Sequence, residues 1–488
     1  MSTSSVAKSQ KLILAGIIFS GILIRIYFFI GHIYSDDSYY SKLSDIFINN
    51  SDLSEYQGYP IFILRKIFIW MIAFSYKIFG MNEISSVIIP FILSIASLFL
   101  IYFYSKILFE DFKTRAIAVF LLAFFPLEVV FASIAFPDLT NVFFINFGLL
   151  ILYYSINRQK YSQSVIAGLI FSLSFLIKEY FIYTIIFLLV ILIYSYFIRK
   201  VILKQIIISL FVFLTFLIIE SLYYKITRDN FFYRFSVLQQ NYQYCWYDFF
   251  PYNVKELTNS DSYITNLAYH FLLSFKFLFL RRFYLFIPLI SLVLVILNFR
   301  KRRFVLLSTW FAITLFALIF LPTSLDSYKP LNLERSWYIF PLIFPAILLV
   351  SERISKLKGF ITVIFLFVYI IIAGIIMSGE YSKYFQVDSN REFKNYLHTL
   401  DNKLNYTDHF TLYGIELISG KTIKAINISN NNSLERNNLT GAYLLYNKRH
   451  LDELKLQGYK FPILVKINFD QIKPVKTIGD FQFYFFNH

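Results

Sequence analysis

Residues 11–40 read KLILAGIIFSGILIRIYFFIGHIYSDDSYY. The stretch up to residue 31 is almost entirely apolar, and about 20 such residues suffice to cross roughly 30 Å of hydrocarbon as a helix. It has no small-residue cleavage site, and many similar runs follow it, so we interpret it as a retained first transmembrane helix. Two adjacent acids, Asp36 and Asp37, come directly after it. The sequence therefore predicts a membrane protein that carries two carboxylates where its first helix leaves the membrane.

The composition of the whole chain supports a membrane protein. Of its 488 residues, 57% are hydrophobic and only 16% are charged, whereas about a quarter of the residues in a soluble domain are charged. The single Cys245 excludes a disulfide within the chain and a thiolate cluster for a metal. The net charge of +16 would suggest a nucleic-acid partner in a soluble protein, but the basic clusters lie between apolar runs, as the positive-inside rule predicts. We therefore expect membrane lipids, and no nucleic acid, as partners.

The basic clusters also predict the topology. If the N-terminus is cytoplasmic, the clusters at residues 106–115, 158–160, 199–204, 300–303 and 353–358 all fall in cytoplasmic loops. This arrangement requires residues 61–80 to lie in the membrane interface as an amphipathic helix, because a crossing there would invert every later loop. An odd number of crossings then places the C-terminus outside. We predict about eleven transmembrane helices, at residues 11–31, 84–108, 115–133, 139–156, 161–177, 180–198, 203–224, 280–299, 304–321, 336–350 and 359–379.

The transmembrane domain, residues 1–379, is predicted to have outer loops at residues 32–83, 134–138, 225–279 and 322–335. Residues 380–488 are richer in Asn, Lys and Asp, and short alternating apolar stretches predict strands at 411–417, 441–446, 461–469 and 481–486. Helical patterns at 390–404 and 448–457 complete a small extracytoplasmic α/β domain. The predicted fold class is thus an all-α polytopic membrane protein with juxtamembrane helices and a small C-terminal α/β domain.

Four N-x-[ST] triplets, at Asn405, Asn427, Asn431 and Asn438, lie in this C-terminal domain. They would be glycosylation acceptors only if the domain is outside, which agrees with the loop charges. The alternative is that an Asn-rich sequence produces such triplets by chance.

Charged residues recur on the predicted outer face. Asp36 and Asp37 lie where a carboxylate can act as the general base for a hydroxyl. Asp138 begins a helix in the second outer loop, and Lys178 and Glu179 form a turn so short that it must lie at the headgroup level, where Lys178 can meet a phosphate. Each of these features also has an ordinary interpretation, as a helix cap, a solvated loop or a polar turn.

Arg335 opens a later span from the outside. Its planar guanidinium suits a phosphate or diphosphate, although an Arg at a span end can also snorkel to the interface without any function. Any one of these features is weak evidence, but in the predicted topology all of them lie on one face of the membrane. Their coincidence favours a functional site at that face.

The order and spacing of these residues resemble the C-type glycosyltransferases (GT-C) with many spans, in particular the branch of the protein O-mannosyltransferases and the lipid A aminoarabinose transferases. The resemblance covers roughly residues 12–350. It rests on Asp36-Asp37 after the first helix, Gly58-Tyr59-Pro60 with Phe79-Gly80, Asp138, Lys178-Glu179, and Arg335-Ser336-Trp337 with Pro341 and Pro345. Two positions depart from the family pattern, because Tyr59-Pro60 replaces the usual double proline and Ser336 separates Arg335 from its aromatic partner.

The resemblance implies an inverting, mannosyltransferase-like transfer of a monosaccharide from a polyprenyl-phosphate carrier to a hydroxyl of a protein, lipid or glycan acceptor. It implies that a loop-one Asp is the general base. We favour Asp36, with Asp37 as the alternative, and expect Asp138 to orient the sugar or the acceptor. The residues predicted to bind substrate or phosphate are Lys178, Glu179, Arg335, Tyr39 and Tyr59.

No cofactor follows from the sequence. A divalent metal is an option because His32 precedes Asp36 by four residues, but a single His beside two acids is more often a polar residue that faces headgroups. Two other functions remain as alternatives. A transporter or flippase would place ionisable residues near the bilayer midplane, and a surface-polysaccharide polymerase would not require the Asp pair.

Overall fold

The computed structural model is a bundle of apolar helices with a small mixed sheet at one end. It describes residues 3–50, 56, 59–198, 203–246, 271–272, 274–298, 305–321, 331, 333, 335–397, 399, 404–419, 426–427, 442–448, 451 and 473–486. In chain order the α-helices are α1 (Thr3–Tyr27), α2 (Asp36–Asn49), α3 (Pro60–Ile63), α4 (Lys66–Phe79), α5 (Glu83–Leu108), α6 (Phe112–Ala123), α7 (Pro126–Phe131), α8 (Pro137–Arg158), α9 (Tyr161–Ile177), α10 (Phe181–Ile198), α11 (Leu203–Arg228), α12 (Tyr233–Trp246), α13 (Ile287–Asn298), α14 (Val305–Phe320), α15 (Phe340–Ser355), α16 (Gly359–Gly379), α17 (Val387–Leu397) and α18 (His409–Ser419). Short 3₁₀ turns precede α13 (Arg282–Tyr284) and α15 (Ser336–Ile339), and a π-helical turn follows α16 (Glu380–Tyr384).

Many of these helices suit a membrane. Within the described residues, six are long and apolar enough to cross one, at Ala7–Tyr27, Glu83–Leu108, Pro137–Arg158, Leu203–Arg228, Ser336–Ser355 and Gly359–Leu397. Four shorter apolar helices accompany them, at Tyr161–Ile177, Phe181–Phe197, Ile287–Leu297 and Val305–Phe320. Large apolar side chains such as Phe360 and Phe367 of α16 are exposed on the outside of the bundle, as expected for contact with lipid. The predicted fold class is confirmed, and the count of eleven crossings stays a prediction.

The segment predicted as one span at residues 115–133 is two helices. α6 ends at Ala123 and α7 begins at Pro126. Proline has no N–H for the preceding turn and disfavours the helical conformation at the residue before it, so Phe125 is extended, with φ −72° and ψ 117°. Both helices contact α1 and α5, but α6 also packs against α15 and α7 against α16, so the chain can change direction there. The prediction of one continuous helix was wrong.

Residues 61–80, predicted to lie in the interface, form most of α3 and all of α4. α4 has 14 residues, fewer than the roughly 20 that a crossing needs. It buries Phe68 and Ile72 on the side that packs against α2 and α5, and it exposes Trp70 and Phe74 on the other side. This two-sided apolar surface is typical of a helix between the bundle and lipid, which fits the interfacial placement.

Two of the loops predicted as cytoplasmic lie side by side. The Nζ of Lys113 donates to the carbonyl oxygens of Ser355 and Leu357 at 2.7 and 2.9 Å. The hydroxyl of Thr114 bonds that of Ser355 at 2.6 Å. The loops before α6 and after α15 therefore share one face of the bundle, as the predicted topology requires, while the side of the membrane on which they lie stays a prediction.

Arg25 and Glu128 are charged residues that are buried inside the helix bundle. Arg25 is wholly buried in α1, and its guanidinium donates to the Oγ of Ser94 at 2.7 Å and to the carbonyl oxygens of Gly21 and Ala123, both at 2.9 Å. The hydroxyl of Ser94 also bonds Glu128 at 3.2 Å. These contacts link α1 to α5, α6 and α7, so the buried charges hold helices together.

The C-terminal domain is built around a five-stranded sheet. Its strands are β1 (Leu404–Thr407), β2 (Ile426–Asn427), β3 (Tyr443–Asn447), β4 (Lys476–Ile478) and β5 (Phe481–Phe485), in the order β2-β1-β3-β5-β4. β1 pairs in parallel with β2 and β3, whereas β5 pairs antiparallel with β3 and β4. The strands predicted at 441–446 and 481–486 are confirmed as β3 and β5.

The strand predicted at residues 411–417 is part of the helix α18. Asp408 caps this helix, since its Oδ1 accepts from the N–H of Thr411 at 3.0 Å. Phe410 and Tyr413, spaced as on one helix face, are buried in the cluster that includes residues of α2. The alternating apolar residues suggested a strand, but burial of this helical face against α2 decided the structure.

Several predictions concern residues outside the described part of the chain. These are the basic cluster at 300–303, residues 247–270 of the outer loop 225–279, most of the outer loop 322–335, the strand at 461–469, nearly all of the helix at 448–457, and Asn431 and Asn438. The other two triplet residues, Asn405 and Asn427, lie in β1 and β2.

Candidate functional site

The two acids of loop one both lie in the first turn of α2, but their surroundings differ. Asp37 is wholly buried. Its Oδ2 accepts from the N–H of Ile33 at 2.7 Å and lies 2.9 Å from the Nδ1 of His32, while its Oδ1 accepts from the N–H of Ser35 at 2.7 Å. Asp36, in contrast, is partly exposed. Asp37 therefore fixes the loop to the helix, and Asp36 is the more accessible carboxylate.

The partners of Asp37 favour its charged form. Burial by itself raises the pKa of Asp37, but the charge and hydrogen bond of His32 and the backbone N–H groups of Ile33 and Ser35 outweigh burial, so the pKa lies below its ordinary value. The N-terminus of α2 is also a favourable place for negative charge. Asp37 is thus a fixed carboxylate that organises the loop around it.

His32 is committed to contacts within the protein. Its Nδ1 faces Asp37, and its Nε2 lies 3.0 Å from the Oγ of Ser38. The structure pairs His32 with Asp37 and not with Asp36, the partner that a metal site would have needed. Among the described residues, no group of three His, Cys, Asp or Glu side chains could hold a metal ion. Both ring nitrogens of His32 thus face protein atoms, and the metal considered from the sequence stays a prediction.

Asp138 and Lys178, predicted on separate loops, are bonded to each other. The Nζ of Lys178 donates to Asp138 Oδ1 at 2.5 Å, and the same oxygen accepts from the hydroxyl of Tyr180. The ammonium also lies 4.7 Å from the ring centroid of Tyr180 and 5.1 Å from that of Tyr338. Lys178 is only 7% exposed, and burial lowers its pKa although Asp138 opposes this. The assignment of Lys178 to a phosphate stays a prediction, because a phosphate would have to compete with Asp138.

Glu179 belongs to a second buried network, which we call the Glu179 network and define as Arg65, Glu179, Glu220 and Arg234. Glu179 accepts from Arg65 and, at 2.9 Å, from Arg234. Arg234 bonds both oxygens of Glu220, at 2.7 and 3.0 Å. Burial by itself raises the pKa of Glu179, but the charges of Arg65 and Arg234 outweigh burial, so the pKa lies below its ordinary value. The network joins four parts of the chain. They are the start of α4, the turn that connects α9 to α10, helix α11 and helix α12.

Tyr39 lies in an aromatic cluster that both domains share. It is wholly buried in α2, with its ring centroid 4.1 Å from that of Phe410 in α18 and 4.6 Å from that of Phe62 in α3. Tyr59 precedes α3, is partly exposed, and places its ring centroid 5.8 Å from that of Tyr39. Tyr59 is the more accessible of the two, and a role of either residue in substrate binding stays a prediction.

The C-terminal domain sits directly on loop one. A Cβ added to Gly414 of α18 would lie 2.5 Å from Cδ1 of Tyr34 and 2.7 Å from Nε2 of His32, so no side chain fits there without a shift. Beside this contact, Lys42 of α2 forms an ion pair with Glu416 of α18 at 3.2 Å. α18 therefore covers the helix that carries the acid pair.

Arg335 lies at the edge of a cavity between the two domains, which we call the junction cavity. It is partly exposed, and its guanidinium carbon lies 5.5 Å from the ring centroid of Trp337. Ser35, the residue before Asp36, lines the same cavity. Arg335 and Ser35 are about 300 residues apart in sequence, and the structure brings both to one cavity at the start of α2.

Tyr40 of α2 is affected by charges from several of the predicted segments. Burial raises the pKa of Tyr40, the charge of Arg65 opposes this, and the charges of Asp36, Asp138 and Glu179 each add to it. The acids of three segments that are separate in sequence thus all act electrostatically on this one side chain.

Sequence reasoning missed the ion-network roles of Arg65 and Arg234. The signal that could have led to them is Glu220, an acid within an apolar run, since such a residue needs a partner in the folded protein. No spacing in the sequence indicates which basic residue supplies it, because the partners come from different helices.

Asp408 of the C-terminal domain was also missed. It is wholly buried beside the aromatic cluster around Tyr39, and its Oδ2 has no hydrogen-bond donor among the described residues. Burial raises the pKa of Asp408 to about 6, although its hydrogen bonds to Thr411 oppose this. A carboxylate that ends a strand gives no sign in the sequence that another domain will bury it.

Comparison with known proteins identifies the fold of the chain. Residues 67–224 match the family described as dolichyl-phosphate-mannose-protein mannosyltransferase. No protein of curated function matches the chain by sequence. The structure is similar to ArnT from Cupriavidus metallidurans bound to undecaprenyl phosphate, with a TM-score of 0.52 and 11% identity over 99% of this chain and 98% of that chain. The apo state of the same protein matches with a TM-score of 0.53, at 12% identity over 98% of both chains.

A third similar structure is the archaeal oligosaccharyltransferase AglB from Archaeoglobus fulgidus, in complex with an inhibitory peptide and a dolichol-phosphate. Its TM-score is 0.50, at 12% identity over 96% of this chain and 74% of that chain. At such low identity these similarities establish the fold, and both neighbours are GT-C glycosyltransferases. The resemblance predicted from the sequence is thereby confirmed. The chain is a membrane protein with the fold of these C-type glycosyltransferases, and its residues 67–224 are similar to the protein mannosyltransferase family.

Proposed function

We propose that the chain transfers a monosaccharide from a polyprenyl-phosphate carrier to an acceptor hydroxyl on the outer face of the membrane, with Asp36 as the general base. The observation that carries this proposal is the difference between the two adjacent acids of α2. Asp37 is buried and held by three hydrogen-bonding partners, whereas Asp36 is partly exposed and directly follows Ser35, which lines the junction cavity. A general base has to reach the proton that it removes, and Asp36 is the accessible one.

The comparisons support a lipid-phosphate donor. The matching family is described by its dolichyl-phosphate-mannose, and the two similar structures hold undecaprenyl phosphate and dolichol-phosphate. All three compounds combine a long apolar chain with a phosphate. A donor of this chemistry suits a site at the end of an apolar helix bundle, because its chain can stay in the bilayer while its phosphate reaches Arg335.

The proposed reaction is a single displacement. The acceptor oxygen attacks the anomeric carbon from the side opposite the phosphate, the bond between that carbon and the phosphate oxygen breaks, and the anomeric configuration inverts. Asp36 takes the proton of the acceptor hydroxyl. The phosphate leaves as an anion and needs no acid, but its growing negative charge has to be stabilised. Arg335 is the residue that we assign to this charge, because its guanidinium can bond two phosphate oxygens at once.

The other charged residues would hold the site in place. Asp37 and His32 fix loop one, so they orient the neighbouring Asp36. Asp138, bonded to Lys178, would orient the sugar or the acceptor and hold the α9–α10 turn against the start of α8. A transporter gains no support from the buried Arg25, whose bonds to Ser94 and to two backbone carbonyls account for its place in the bundle. We further propose that the N-terminus is cytoplasmic and the C-terminal domain extracytoplasmic.

The test uses the purified full-length protein in lipid vesicles with a panel of radiolabelled polyprenyl-phosphate monosaccharides. The variants are Asp36→Asn and Asp37→Asn, with Asp45→Asn as the matched control. Asp45 lies on the same helix, is partly exposed, and pairs only locally with Lys42 and Asn49 among its described contacts. We expect Asp36→Asn to lower transfer about 10²–10⁴-fold, with an unchanged melting temperature, and Asp45→Asn to keep wild-type activity.

Three results would contradict the proposal in different ways. Full activity of Asp36→Asn together with loss of activity in a stably folded Asp37→Asn would make Asp37 the base. A product with retained anomeric configuration, measured by NMR, would exclude the single displacement. Transfer from nucleotide sugars but from none of the lipid carriers would exclude the proposed donor.

A further inference from the structure

The junction cavity has one wall from each domain. The residues of the transmembrane domain and the C-terminal domain that matter for its chemistry are Phe136, Arg335 and Trp337 on one side and Asn390, Asn447 and Asp480 on the other. Its volume is about 60 Å³, close to the volume of about two water molecules. The cavity therefore has room for hydroxyl groups at the edge of a sugar ring.

The polar groups of the C-terminal wall are held in fixed orientations. The Nδ2 of Asn390 donates to the carbonyl of Phe385 at 3.0 Å, and the Nδ2 of Asn447 donates to Thr411 Oγ1 at 3.1 Å. The Oδ2 of Asp480 accepts from Gln386 at 2.8 Å. Since side chains that are already oriented lose little entropy when a ligand binds, these amide and carboxylate groups are suited to bond the hydroxyls of a ligand.

The opposite wall has a different chemistry. Trp337 and Phe136 pack edge to face with ring centroids 5.5 Å apart, and the guanidinium of Arg335 lies over the Trp337 ring. Apolar and aromatic walls with a few placed polar groups are typical of small-molecule sites. The combination of an arginine on one side with amides and a carboxylate on the other matches a ligand that is anionic at one end and a neutral polyol at the other.

We propose that the C-terminal domain forms part of the binding site for the donor sugar, and that Asn390 and Asp480 select the sugar by bonding its hydroxyl groups. This inference rests on the proposed function, in which Arg335 binds the carrier phosphate. The anomeric carbon is joined to that phosphate through a single oxygen, so the sugar has to lie within a few ångströms of Arg335. In the direction away from the helix bundle, that position is bounded by α17 and by the turn between β4 and β5.

The test compares donors that differ at one hydroxyl group. Polyprenyl-phosphate glucose, mannose and galactose are given to the full-length protein in vesicles, and the ratio of kcat/KM between the best and second-best donor is measured. The variants are Asn390→Ala and Asp480→Asn. Asn395→Ala is the matched control, because Asn395 is exposed on the same helix, α17. Binding of the same labelled donors is measured in parallel, so that the readout does not depend on turnover alone.

We expect Asn390→Ala and Asp480→Asn to reduce the donor ratio about three- to tenfold, which is the usual effect of one hydrogen bond, and Asn395→Ala to leave it unchanged. Asn390→Asp replaces the amide by a carboxylate of almost the same shape. This variant therefore separates the loss of a hydrogen bond to the sugar from a general loss of folding. An unchanged ratio with normal turnover would overturn this inference but not the proposed function. A raised KM for the acceptor alone would assign the wall to the acceptor, which also overturns it. Absence of both turnover and donor binding in the wild type would overturn both proposals.

Discussion

Two regions of the structure hold their charges in opposite ways. In the Glu179 network every described charge has an opposite charge within bonding distance, and the arginines are almost wholly buried. In the contact between α2 and α18, aromatic packing dominates, Asp36 stays partly exposed, and Oδ2 of the buried Asp408 has no hydrogen-bond donor among the described residues. The comparison indicates that mutually neutralised charges hold the architecture, whereas an accessible carboxylate such as Asp36 can reach a substrate.

The largest expected effect comes from breaking the Glu179 network. Arg234→Ala leaves Glu179 and Glu220 buried without their shared partner, and breaking such a buried pair costs about 3–5 kcal/mol. The measurement is the change in thermal unfolding of the protein in detergent. The matched control is Lys225→Ala, which removes an exposed ion pair with Asp229 and should leave thermal unfolding almost unchanged, because solvent screens such a pair. Equal effects of the two variants would show that the network does not hold the architecture.

The Asp138–Lys178 pair allows the same comparison in a double-mutant cycle. Lys178→Met leaves Asp138 buried with only the hydroxyl of Tyr180 bonded to it among the described residues, and we expect a loss of about 3 kcal/mol. Asp138→Asn combined with Lys178→Met removes both charges, so it should recover part of that stability. Additive losses in the double variant would mean that the two residues act independently. Recovered stability without recovered transfer would support a positioning role for the pair.

Asp408 is expected to make the C-terminal domain less stable as the pH rises. Its folded pKa of about 6 lies above the ordinary 3.8, so its contribution favours folding below about pH 4 and is lost as the pH rises through about 6. The difference corresponds to about 3 kcal/mol at most. Asp408→Asn keeps the helix cap and should raise the melting temperature at pH 7.5 but not at pH 4. The same melting difference between the two proteins at both pH values would contradict this explanation.

The smallest expected effect concerns Gly414. In an open helix, Gly→Ala stabilises by up to about 1 kcal/mol, but here the new Cβ would press on Tyr34 and His32, and crowding of this kind costs about 1–3 kcal/mol. We expect Gly414→Ala to lower both stability and transfer. Gly374→Ala in α16 is the control, because nothing lies within 4 Å of its Cβ position. A neutral Gly414→Ala would show that α18 can move away from loop one at little cost.

The sequence predicted the helices well wherever burial in lipid was the only requirement. The span predicted at 359–379 is α16, and the one at 161–177 is α9, each with the same limits. It failed at residues 115–133, where a proline breaks the run, and at 411–417, where a helical face is buried against another domain. In both cases the apolar residues were identified correctly. The course of the chain at 115–133 and the helix at 411–417 depended on neighbours that are far away in sequence.

Charge and hydrophobicity along the chain determined the membrane class, the approximate spans and the set of charged residues at one face, because hydrocarbon excludes charge and unbonded backbone regardless of the fold. Only the tertiary structure decided how those residues divide. Asp36 and Asp37 are neighbours in sequence with the same chemistry, and their difference arises from His32, from backbone N–H groups of the preceding loop and from the α18 contact. Burial and hydrogen bonding are properties of the surroundings of a side chain, and those surroundings exist only after helices from both domains have packed together.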